Sequence, residues 1–104
     1  MEIQTSYEAG RLTIYLSGEL DHHEARCAMN RIEELLDEFI PRECALNLSG
    51  LNFMDSSGIA VIIKVSRRMT ALGGRAWVEN PARQPQRVLD AAGIDRLVPV
   101  AMGR

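Results

Sequence analysis

Leu12, Ile14 and Leu16 alternate with Arg11, Thr13, Tyr15 and Ser17, the two-residue period of a strand with one buried face. Ile3 to Glu8 precedes it across Ala9-Gly10, so the pattern predicts a hairpin whose second strand stops at Gly18. Beyond Asp21 the apolar spacing lengthens to three and four. Ala25, Ala28, Met29, Ile32, Leu35, Leu36 and Phe39 form one stripe, which predicts a helix from an Asp21 cap, with Glu24 three residues on, to about Phe39. Pro41 stops it. Leu46 and Leu48 against Asn47 and Ser49 return to strand period, which Gly50 is expected to break. From Ile59 the spacing is helical again, with Ile59, Ile62, Ile63, Ser66 and Met69 on one stripe and Val61, Val65 and Leu72 flanking it. That width exceeds what one sheet face needs; it reads either as extra core or as the apolar floor of a partner site.

Gly73-Gly74 closes this helix, and Arg75 to Glu79 supplies a further strand. Asn80-Pro81 makes a turn. Pro85 fits the first turn of a third helix that buries Val88, Leu89 and Ala92 and ends at Gly93. Ile94 anchors the return to a last strand between Leu97 and Ala101, confined to a sheet edge by Pro99. The order of elements predicts an α/β fold: an N-terminal hairpin leading into a mostly parallel β-α superhelical sheet, with helices on one face and the other face uncovered.

Composition narrows the function without naming it. With 104 residues, 46% hydrophobic and 25% charged, the chain fits one domain over residues 1–104. Its longest apolar run, Ile59 to Ile63, ends at Lys64, far short of the ~20 residues that span a bilayer. The amino terminus lacks the regions of a signal peptide, so a cytoplasmic protein with no membrane partner is expected. Net charge is −2, divided between residues 1–52 (10 acids, 4 bases) and residues 53–104 (4 acids, 8 bases). An acidic total argues against nucleic-acid binding. Cys27 and Cys44 read as reduced, half-buried thiols, and although His23 and Cys27 share a helical face, no further clustered ligand completes a metal site.

The segment Phe53-Met54-Asp55-Ser56-Ser57-Gly58 joins the central strand to the second helix. There the first N–H groups lack intrahelical partners, Asp55 or Ser56 can cap, and the helix dipole tolerates added negative charge. Gly58 reads as keeping the helix start bare for close approach by another protein. Phosphate-cradling loops and nucleophile elbows are missing, so no cofactor is expected. A hydrolase pairing Ser56 with His22 or His23 lacks an orienting acid and an oxyanion donor set, and an enzyme is not expected.

Together with Gly18-Glu19-Leu20-Asp21-His22-His23 upstream, this segment resembles the STAS family of anti-sigma factor antagonists, its sporulation branch in particular. The resemblance implies a single STAS-like domain in which the serine directly after the aspartate, here Ser56, is phosphorylated by the partner anti-sigma factor, itself a serine kinase. It further implies partner binding through Glu19, Asp21, His22, His23, Asp55, Ser57 and Gly58, with the Glu19 to His23 segment as a loop. On this reading the unmodified protein, a monomer or weak dimer, binds the kinase and frees a sigma factor; phosphorylation releases it, and a serine phosphatase resets it. The competing expectation is a STAS scaffold subunit of a larger signalling assembly, without a switch.

Overall fold

A computed structural model of the chain describes residues 1–102; the last two residues of the expected 1–104 domain lie outside the described residues. In chain order the elements are β1 (Glu2–Glu8), β2 (Arg11–Leu20), α1 (His22–Phe39), β3 (Glu43–Met54), α2 (Ser56–Ala71), β4 (Arg75–Glu79), α3 (Arg83–Ala92), a single 3₁₀ turn (Ile94–Arg96) and β5 (Val100–Ala101). Ala9 and Gly10 both take positive φ, 52° and 83°, the left-handed turn whose twist matches an antiparallel hairpin. The five strands lie side by side in chain order, β1 antiparallel to β2 and the rest parallel.

Each parallel step crosses over through helical structure, and successive crossovers of one hand put the helices on one face. There Leu12, Ile14 and Leu16 meet Ile32, Leu36, Ile62, Val65 and Leu89 in a single core. The opposite face is covered by no helix among the described residues and carries largely polar side chains. Glu43 on the central strand pairs with Arg11 at 3.1 Å on one side and with Arg75 on the other. The Arg11 guanidinium also lies 5.0 Å from the centre of the Trp77 ring. Between these neighbours Ala45, in register with Thr13 and Trp77, is fully buried.

Both strands leading to the predicted site run further than their glycines suggested. β2 continues through Gly18 to Leu20, and β3 through Gly50 to Met54, with register shifts between Tyr15 and Ser17 and between Gly18 and Glu19. Gly50 is needed for close approach and does not break the strand: a Cβ there would lie 2.9 Å from the Ser17 Cβ. Asn47 supports the bulge by accepting from the Ser49 N–H at 3.0 Å and the Ser49 hydroxyl at 2.7 Å.

The helices follow the apolar pattern with some exchanges of face. In α2 the fully buried stripe is Val61, Ile62, Val65 and Met69, whereas Ile59 and Ile63 are half-buried against the core and Leu72 is exposed. The extra apolar width is core, because α2 lies between α1 and α3 and contacts both. In α3 the buried positions are Pro85 and Leu89, with Val88 half-buried and Ala92 exposed. The acidic end of α1 is offset by an ion pair from Asp37 to Arg68 of α2. Cys27 is exposed, while Cys44 is buried and its thiol is pushed up to about 12 by desolvation. The last strand is shorter than expected, two residues paired with Val78 and Glu79 at the sheet edge.

Candidate phosphoacceptor and partner-binding site

β2 and β3 are neighbours, so their carboxyl ends deliver the two motifs together. Glu19 is in register with Phe53 and Leu20 with Met54, and the Asp55 N–H donates to the Leu20 carbonyl at 3.3 Å. From these adjacent ends α1 and α2 start in the same way. Asp21 (φ −106°, ψ −175°) and Asp55 (φ −109°, ψ −168°) are extended N-caps of nearly identical backbone geometry. The Asp21 carboxylate accepts from the His23 and Glu24 N–H groups, each at 3.0 Å. The Asp55 carboxylate accepts from the Ser57 N–H at 2.8 Å.

With Asp55 as the cap, Ser56 is released from that role. It is the first residue of α2, exposed, and its hydroxyl makes no hydrogen bond among the described residues. Ser57 is half-buried and lines a groove between α1 and α2 with His22, Arg26, Glu33 and Lys64. His22 and His23 are exposed, their rings 4.0 Å apart, and no hydrogen bond joins either to a serine among the described residues. They are the first two residues of α1, and Glu19 lies within β2, so the upstream motif is a strand end running straight into a capped helix where a loop was expected. The Asp21 carboxyl is held below its ordinary value, foremost by the Glu24 N–H; desolvation opposes this, and the His23 N–H and both imidazoles add to the lowering.

Gly58 has a different reason from the one its sequence context suggested. It is buried, and a Cβ there would stand 2.2 Å from Met54 Cγ and 3.3 Å from Leu20 Cδ2. The missing side chain lets the first turn of α2 sit directly on the ends of β3 and β2; it opens nothing to the outside.

Two neighbours of these helix starts had no role assigned from the sequence, Phe53 although it belongs to the quoted segment and Gln84 altogether. Phe53, 39% exposed next to Glu19, puts an aromatic side chain on the surface just before Asp55; its alternation with buried Met54 was the available signal. Gln84 of α3 holds Met54 by both backbone groups, accepting from its N–H at 2.7 Å and donating to its carbonyl at 3.1 Å. Nothing in local spacing points to a partner 30 residues away.

A sheet in chain order, helices on one face, and two capped helix starts side by side define a recognised class of domain. The STAS domain model matches residues 1–103, and the chain belongs to the STAS domain family. It is 31% identical over 100 residues to the anti-sigma F factor antagonist of Paenibacillus polymyxa, covering 96% of this chain and 86% of that one. Among solved structures it resembles the anti-sigma factor antagonist SpoIIAA in its unphosphorylated form, with a TM-score of 0.84 at 25% identity, over 99% of this chain and 89% of the other. The phosphorylated form of SpoIIAA from Bacillus matches with a TM-score of 0.75 at 25% identity, over 99% and 92%.

Proposed function

We propose that this chain is an anti-sigma factor antagonist switched by phosphorylation of Ser56. The unmodified form binds an anti-sigma factor that is also a serine kinase, through the paired starts of α1 and α2, and so frees a sigma factor. The kinase then transfers the γ-phosphoryl group of ATP to the Ser56 oxygen; ADP leaves, and the hydroxyl proton passes to the kinase. The phosphoprotein dissociates until a serine phosphatase removes the phosphate. These partners and ATP place the activity in the cytoplasm, with no nucleic acid, membrane or cofactor needed by this chain, acting as a monomer or weak dimer.

The observation that carries the reading is the division of labour between Asp55 and Ser56. The carboxylate takes the capping bond, and the exposed serine oxygen has no competing partner among the described residues. A phosphate there, about −1.5 to −2 in charge, meets the first-turn N–H groups of α2, so it is accommodated at little cost to the fold. Against a partner that had packed on a neutral hydroxyl, the same charge must be desolvated, and binding weakens. Resemblance to SpoIIAA, solved with and without phosphate, and to a relative named for antagonism of an anti-sigma factor supports the same reading.

The test is to isolate the anti-sigma kinase that co-purifies with the protein, incubate the two with ATP, and map the product by mass spectrometry. One phosphate on Ser56 is expected, and none on Ser56→Ala. Modification at Ser57 or Ser49, or none with a partner proven to bind, would overturn the assignment and favour a scaffold without a switch.

A further inference from the structure

Past Asn47, no strand among the described residues lies beside β3 on the β4 side, because the β3–β4 pairing ends at Asn47 and Glu79. The backbone groups of its last residues on that side need other partners. The Ala82 N–H serves Leu48 at 3.4 Å, and the Gln84 side chain serves Met54. Its amide pairs with one residue's N–H and carbonyl together, as an adjacent strand would. On the other side the Asp55 N–H is held by Leu20. Met54 is itself fully buried beneath Gly58. The peptide immediately before Asp55-Ser56 is therefore fixed from three directions, and only the Gln84 contact comes from α3.

We propose that Gln84 is a positioning residue for phosphoryl transfer: by clamping Met54 it sets where α2 begins and hence where the Ser56 oxygen stands in the kinase site. This rests on the reading of Ser56 as the phosphoacceptor. Phosphoryl transfer depends on alignment of the attacking oxygen, and a displacement of about 1 Å can cost on the order of a hundredfold in rate. A loosened clamp therefore lowers kcat more than it raises KM, since the surfaces that bind the kinase lie elsewhere on the two helix starts.

The chemistry of the amide gives a readout that lost packing alone would not move. Gln84→Met keeps length and bulk but removes both bonds. Gln84→Glu, when ionised, still accepts from the Met54 N–H but sets a carboxylate against the Met54 carbonyl; when protonated, it donates to that carbonyl and restores both bonds. Kinetics are measured with the co-purified kinase and ATP from pH 8 to pH 6, and amide exchange of Met54 and Ser57 is followed by NMR on the free protein. The expected result for Gln84→Met is a tenfold or greater fall in kcat with KM within about threefold of wild type, and faster exchange at Met54. Gln84→Glu, ionised across this range, should show the same split, since it loses the bond to the Met54 carbonyl. Should Gln84→Met not fold, Gln84→Glu decides alone. Wild-type kcat in Gln84→Met, or in Gln84→Glu where Gln84→Met does not fold, would overturn the positioning role and leave the switch intact; a wild-type protein that its bound kinase does not phosphorylate overturns both.

Discussion

The starts of α1 and α2 share a cap, a backbone conformation and a place at the end of adjacent parallel strands, yet they differ at each of the next three positions. After Asp21 come His22, His23 and Glu24; after Asp55 come Ser56, Ser57 and Gly58. In α1 the cap takes two N–H groups, His22 and His23 are exposed, and Glu24 is half-buried. In α2 the cap takes one, the third position is a bare glycine pressed onto Met54, and a small hydroxyl is left at the first. One start is built as an ordinary capped helix. The other is drawn in close to the sheet and carries two serine hydroxyls without a hydrogen bond among the described residues, of which Ser56 is exposed and Ser57 half-buried, so equal capping leaves the two starts chemically different.

The largest expected effect lies at the first helical position. Ser56→Asp should fold as wild type does and bind the kinase about a hundredfold more weakly, equivalent to ~2.8 kcal/mol, because a carboxylate must be desolvated at the interface. Ser56→Ala should retain binding. Calorimetric titration of each variant, with circular dichroism as the control for folding, checks this; equal affinities for Ser56→Asp and wild type would erase the functional difference between the two helix starts.

Next comes the third position. Gly58→Ala adds a methyl group where Met54 Cγ is 2.2 Å away. Overpacking of about 1–3 kcal/mol outweighs the ~1 kcal/mol gained by removing a glycine from a helix. A fall in Tm is expected, whereas Glu24→Ala at the matching position of α1 should stay within ~0.5 kcal/mol. Thermal melts of the three proteins form the comparison, and a Gly58→Ala variant as stable as wild type would refute the close seating of α2.

The smallest effect concerns the Asp21 cap. Asp21→Ala should lower Tm through loss of the α1 cap and also weaken kinase binding. Because the folded-state pKa of Asp21 lies below its ordinary 3.8, the unfolded chain takes up the proton first. Its contribution is therefore complete above pH 3.8 and is lost as pH falls through the lower folded value. Denaturant melts between pH 2 and pH 6 should give a shallower acid slope for Asp21→Ala than for wild type. Unchanged kinase affinity in this variant would make the α1 start purely structural.

Local chemistry was strong enough to mark most of these features in advance. Alternation at Leu12, Ile14 and Leu16 placed β2, the stripe from Ala28 to Leu36 placed α1, and Asp21 capped as its spacing predicted. Ser56 was marked only through the resemblance of the two aspartate motifs to the STAS family. Glycines were read less well, because the same residue serves breaks and close approaches alike, and only the neighbour tells them apart. Gly50 faces Ser17 and Gly58 faces Met54, contacts created by the pairing of β2 with β3 and by the seating of α2. The strands ran on past Gly18 and Gly50 for that reason. Cys27, assigned a half-buried place, is exposed, since a helix stripe fixes the buried face more sharply than its margins.

The sequence by itself determined the elements, their order and the Asp21 cap, because periodicity and capping act over three or four residues; it left the second cap open between Asp55 and Ser56. Tertiary structure alone decided that the two caps lie side by side, that Arg11, Glu43, Arg75 and Trp77 meet on the polar sheet face, and that Gln84 completes the unpaired end of β3. These contacts join residues thirty or more apart in the chain. They exist only once the crossovers have brought the strand ends together, and no local preference encodes them.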